Sequence, residues 1–275
     1  AGQIYETEIE DTIRAYATPV LRAAGIDPEA VRIHLISSPV LNAFVARGQR
    51  IFVTTGLLMT AQHPGQVIGV LAHETGHIAG GHLARLEGAL RDAEIPALLS
   101  QLFAAAAGVL ARSPEAAVAL GTGGDQIVRR SLLQFSRTQE SSADRAGLEY
   151  LSSTHQSARG LLEFLEVLED QQVLTVSRAQ QEQISYEMTH PLTRDRILFI
   201  REQVERSPYS DVPIPAEMMA RHARMVAKLR GFLDPPAQTL RRYPETDTSF
   251  PAKYARAIAY YRIPDTAKAL GLVDE

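Results

Sequence analysis

Two kinds of hydrophobic spacing divide this chain, and no all-α or all-β fold accommodates both. VRIHLISS at 31–38 and AFVARGQRIFVTTGLL at 43–58 are rich in β-branched and aromatic residues. They read as strands, the second run turning at Arg47 and Gly48. From Pro64 nearly to Ser207 the spacing is helical. Residues 3–25 also carry helical spacing, at Ile4, Ile9, Ile13, Tyr16, Val20 and Leu21, with a stop at Gly25. The expected fold class is α+β, mainly helical, with a small sheet packed on helices.

SPYSDVPIPAE, residues 207–217, carries three prolines and reads as a linker. The expected division is therefore a domain at 1–206, a linker at 207–216 and a helical segment at 217–275. Within that last segment, AKYARAIAYYRIPDTAKALGLVDE at 252–275 resembles the first part of a tetratricopeptide repeat. One repeat cannot bury its own apolar face, so the chain is expected to be the front of a longer protein. At the other end, AGQIYETEIEDTIRAY has neither a basic leader nor an apolar core, so any signal peptide is expected to have been removed or never to have existed.

HETGH at 73–77 brings in chemistry. Residues four apart share a helical face, so His73 and His77 can aim two imidazoles at one ion while Glu74 lies about 100° around, beside it. The bland alternative is a half-buried helix with incidental histidines. That alternative leaves Gly69, Gly76, Gly80 and Gly81 unexplained, since each costs a helix about 1 kcal/mol. Close approach of another backbone or of a substrate accounts for them better. With no cysteine in 275 residues, any metal must be held by His, Asp or Glu.

A catalytic zinc needs a third protein ligand. Continuing the helix places His82 about 180° away from His73, so it is expected to be a surface or packing residue. A third histidine at the metzincin spacing would fall on Leu83 instead. QFSRTQESSADRAGLEYL at 134–151 offers another route, with Glu140 and Asp144 on one helical face. Glu140 can ligate while Asp144 accepts the N–H of a ligand histidine. In THPLTRDRI at 189–197, His190 precedes Pro191, which holds it in extended backbone before a helix. It either donates to an oxyanion or occupies a fourth metal position in a resting state. Arg196 is expected to tie the following helix down by pairing with an acid.

The order HETGH, then ESSAD, then HPLTRDRI resembles metallopeptidase family forty-eight, the group with HtpX and the CAAX prenyl proteases. NAFVARGQRIFVTTGLL resembles its soluble periplasmic members that carry tetratricopeptide repeats, the BepA-like type. The resemblance covers roughly residues 1–205. It implies a zincin-like (gluzincin) peptidase domain in which His73, His77 and Glu140 hold one Zn²⁺, Glu74 is the catalytic base and Asp144 supports a ligand. It also implies a role at the site for His190, and a substrate-lining edge strand at Asn42, Ala43 and Phe44.

The expected function is therefore a zinc metalloendopeptidase acting on unfolded or misassembled polypeptides in bacterial envelope quality control. The resemblance places it in the periplasm, with outer-membrane assembly partners reached through the repeat-like tail. A chaperone-like scaffold with a structural or latent zinc site is the alternative. A formal charge of −4 supplies no field for nucleic acid, which is excluded as a partner. The Ala-rich stretch at 95–111 is too short for a membrane span of about 20 residues. It reads either as a buried helix or as a helix in peripheral contact with a membrane surface.

Overall fold

In a computed structural model of the protein, residues 2–46, 49–82, 137–175 and 190–263 are described. The stretch at 95–111, the turn at 47–48 and the last part of the repeat-like tail lie outside them. Four strands form one sheet in the order β1 (Gly2–Ile4), β2 (Arg32–Ser37), β4 (Arg50–Thr54), β3 (Ala43–Ala46). Strand β1 runs antiparallel to β2, with Gly2 opposite Ser37. Strands β2 and β4 are parallel, with Arg32 opposite Arg50. The edge strand β3 runs antiparallel to β4, with Ala43 opposite Val53.

The alternation of the pleat sorts the strand residues onto two faces. Ile33, Leu35, Ile51, Val53 and Ala43 are buried on the inner face. Phe44 stacks on Phe52, and Phe52 on His34, across the outer one.

Helix α1 (Thr7–Ala23) lies beneath the sheet and buries Ile9, Ile13, Tyr16, Val20 and Leu21. Glu6 caps its start by accepting from the Ile9 amide at 2.8 Å. Gly25, at φ +69°, ends it in the left-handed conformation that glycine adopts without strain. The helical pattern read from residue 3 therefore begins too early, because residues 2–4 join the sheet. The strand read through Leu58 also runs too long. Thr54 ends β4 and caps α2 (Thr55–Thr60) by accepting from the Leu57 amide.

Helix α3 (Pro64–Ala79) is buried on every side from Pro64 to His77 and forms the centre of the molecule. Around it lie α4 (residues 137–153), α5 (Arg159–Thr175) and α6 (Arg194–Arg206). After the proline-rich segment come α7 (Ala216–Leu233), α8 (Pro236–Arg242) and α9 (Phe250–Arg262). Met225 and Leu229 of α7 belong to the same buried core as Ile13, Tyr16 and Leu71. Lys228 of α7 donates to Glu8 at 2.7 Å and also pairs with Glu6, clamping α7 to the start of α1. Among the described residues, no helix is long and apolar enough to cross a membrane.

Candidate metal centre

The imidazoles of His73 and His77 share one face of α3, and their Nε2 atoms lie 3.0 Å apart. Glycine lets a second helix approach that face. A Cβ on Gly76 would sit 2.7 Å from the Ala143 carbonyl oxygen of α4, and a Cβ on Gly147 would sit 3.0 Å from the His73 amide nitrogen. Helix α4 therefore runs almost in backbone contact with α3. The approach brings Glu140 Oε2 to 3.2 Å from His73 Nε2 and Glu140 Oε1 to 3.1 Å from His77 Nε2.

Gly76→Ala is expected to push the helices apart, costing about 1–3 kcal/mol of stability by overpacking and weakening metal binding. Urea denaturation and a zinc competition assay check both effects. Unchanged values in the two assays would show that the approach is loose.

His190 completes the cluster from the segment before α6. Its Nδ1 lies 3.3 Å from His73 Nε2 and 3.1 Å from Glu140 Oε1. Its Nε2 lies 3.2 Å from the Ala43 carbonyl oxygen of edge strand β3. His73, His77, Glu140 and His190 are all buried and can offer one ligand atom each within a single small volume.

A metal fits this donor set. Zinc bonds of about 2.0–2.1 Å in a tetrahedron separate ligand atoms by about 3.3–3.4 Å, and the separations above run from 3.0 to 3.3 Å. Glu140 Oε2 is buried and lacks an aligned hydrogen bond among the described residues. With Arg196 Nη1 2.9 Å away on one side, that oxygen could still offer a lone pair to a cation at the centre.

The outer contacts orient the inner ones. Asp144 Oδ1 lies 2.8 Å from His73 Nδ1 and accepts a hydrogen bond from it, which turns Nε2 towards the cluster. Arg196 donates to Asp144 through Nε at 2.6 Å and Nη2 at 2.8 Å. Its Nη1 lies 2.9 Å from Glu140 Oε2 and donates to the Pro191 carbonyl oxygen at 2.8 Å. One guanidinium thus holds both carboxylates and the residue after His190.

Burial pushes both carboxyls up, yet the opposing contacts win. His73, with hydrogen bonds from the surrounding histidines, holds Glu140 well below the usual carboxylate range. Arg196 and His73 hold Asp144 below it. Burial also pushes His73 down, but Glu140 and Asp144 raise it to about 10. His77 is driven down to about 3, chiefly by burial.

Glu74 is the odd member. It is fully buried, and neither carboxyl oxygen has a hydrogen-bond partner among the described residues. Its Oε1 lies 3.3 Å from His190 Nε2 without hydrogen-bond alignment. Burial pushes its pKa up. A carboxyl left unsatisfied beside a metal-ready cluster is placed to exchange protons rather than to brace the fold.

One sequence expectation needs correction. Helix α3 stops at Ala79 with Gly80 as its cap, and Gly81 turns left-handed at φ +60°. The chain therefore folds back, and His82, buried rather than facing away from the metal side, brings its Nδ1 to 2.9 Å from His77 Nδ1. The adjacent glycines were the available signal, because a Gly-Gly pair ends helices far more readily than it continues them.

The three residues expected to line a substrate cleft make different contacts. Ala43 offers its carbonyl to His190, whereas Asn42 is buried, with its amide donating to Thr54 Oγ1 at 3.0 Å. Phe44 packs on Phe52 across the outer sheet face.

A buried histidine pair, a carboxylate from the next helix and an unsatisfied glutamate beside them define a metallopeptidase. The chain belongs to peptidase family M48, whose model matches residues 5–204. It is 30% identical over 173 residues to the beta-barrel assembly-enhancing protease of Escherichia coli, covering 62% of this chain and 34% of that one. A putative beta-barrel assembly-enhancing protease of Vibrio cholerae is 29% identical over 194 residues, covering 70% and 38%. The mitochondrial metalloendopeptidase OMA1 of Schizosaccharomyces pombe is 29% identical over 186 residues, covering 66% and 49%. The chain thus spans about a third to a half of the length of these relatives.

Proposed function

We propose that this chain is a zinc-dependent endopeptidase that cuts extended segments of unfolded or misassembled polypeptides. The observation that carries the reading is the convergence of His73 Nε2, His77 Nε2 and the Glu140 carboxylate, with unsatisfied Glu74 beside them. A peptide adds to β3 as a further strand, held by main-chain hydrogen bonds that make few demands on its sequence. Zinc held by His73, His77 and Glu140 supplies Lewis acidity, polarising the scissile carbonyl and making water acidic enough to attack near neutral pH. Glu74 takes the proton from the attacking water and delivers it to the departing amine. Asp144 keeps the His73 lone pair aimed inward, and Arg196 keeps Asp144 ionised and in place.

His190 has two stations in this scheme. Out of the cluster, its imidazole donates to the charged intermediate. Within it, as here, Nδ1 would be available as a fourth ligand atom, and that placement also favours a latent site in a chaperone-like scaffold. His190→Ala separates the two readings: activity gained or retained with zinc bound supports the peptidase, and zinc without activity in any form supports the scaffold.

Two relatives are named for enhancing beta-barrel assembly, which supports a role in envelope quality control; the proposal sets it in the periplasm, with outer-membrane assembly partners engaged through the tail. The primary test is hydrolysis of unfolded casein by purified protein. Cleavage is expected to stop with a zinc chelator and to return when zinc is added back. Cleavage indifferent to the chelator would sink the proposal.

A further inference from the structure

The contact between His77 and His82 assigns a role to a residue outside the ligand cluster. Their Nδ1 atoms lie 2.9 Å apart, and both rings are buried. Such a contact holds a single proton, so one ring donates and the other accepts. His77 faces the cluster through Nε2, which must be unprotonated to bind a metal. Its proton then sits on Nδ1 and is donated to His82. We infer that His82 is a positioning residue that accepts the His77 Nδ1 proton and so keeps the Nε2 lone pair of His77 directed at the metal. This rests on the metal-site reading above and adds to it the means by which the second imidazole is oriented.

His82 stands to His77 as Asp144 stands to His73. The two partners reach their ligands by different routes. Asp144 comes from α4, whereas His82 comes from the chain just past the end of α3. That return depends on two glycines. Gly81 takes the positive φ that reverses the chain, and a Cβ on Gly80 would sit 2.3 Å from His82 Nε2. Gln139 of α4 fastens the turn by donating to the His82 carbonyl oxygen at 2.8 Å. Since Gln139 precedes Glu140, one stretch of α4 anchors the His82 turn and carries a ligand.

Zinc affinity measured by competition with a chromophoric chelator tests the inference, alongside the thermal midpoint of the metal-free protein. His82→Leu fills similar space but accepts no proton, and is expected to weaken zinc binding about 10–100-fold. His82→Asn places a carbonyl oxygen at the position of Nδ1 along the side chain and is expected to restore affinity to within about threefold of the parent. The two variants are expected to melt together when metal-free.

Parental affinity in His82→Leu would overturn the inference. Equal loss in both variants at equal metal-free stability would overturn it too, because the acceptor would then not matter. A parent protein that binds no zinc would instead remove the metal-site reading beneath it.

Discussion

Glu74→Gln leaves zinc stoichiometry at the parental level and lowers kcat on unfolded casein by a factor of about 10²–10⁴, the usual contribution of a positioned general base. Glutamine matches glutamate in size, and the Glu74 carboxyl makes no aligned hydrogen bond among the described residues, so the substitution breaks no hydrogen bond of that group. What it removes is the capacity to accept a proton. Its place on α3 explains the selectivity of the effect. Glu74 follows a ligand directly and stands beside the cluster without offering an atom to it. Metal analysis and initial rates on the same preparation check both halves. Parental rates in the variant would mean that another group moves the proton.

Arg196→Met is expected to cost about 3–5 kcal/mol of metal-free stability, the range for stripping one partner from a buried ion pair. Asp144 and Glu140 are both buried, and Arg196 reaches both of them. Removing it leaves two buried carboxylates with only imidazole contacts among the described residues. Arg196→Lys is expected to recover little, because a single ammonium cannot span two carboxylates and the Pro191 carbonyl at once. Equilibrium urea unfolding reads the difference. A loss under about 1 kcal/mol would place the ion network on the periphery of stability.

How far the sequence foretold the site depends on whether the relevant geometry is local. His73 and His77 were legible because helical spacing alone puts them on one face. The pair Glu140 and Asp144 was legible for the same reason, although nothing local says that α4 meets α3. The meeting is written in Gly76 and Gly147, whose missing side chains make room for backbone.

His82 escaped because the helix was extended through Gly80 and Gly81, where it ends. One broken helical assumption moved that ring from the far side of the helix to the back of a ligand. Strand β1, at three residues, is too short for any periodicity to register. Helix α2 hid behind the β-branched Thr54 and Thr55, which read as strand until Thr54 is seen capping a helix. Arg196 was expected to bind one acid and binds two, a fact of tertiary approach that no spacing within 189–197 contains.

The most direct measurement is an anomalous difference map from a zinc-soaked crystal, collected either side of the zinc absorption edge. The expected result is one strong peak within roughly 2.0–2.2 Å of His73 Nε2, His77 Nε2 and a Glu140 carboxylate oxygen. No peak there, or one bound elsewhere while Glu140 stays held by Arg196 alone, would contradict a metal-dependent peptidase.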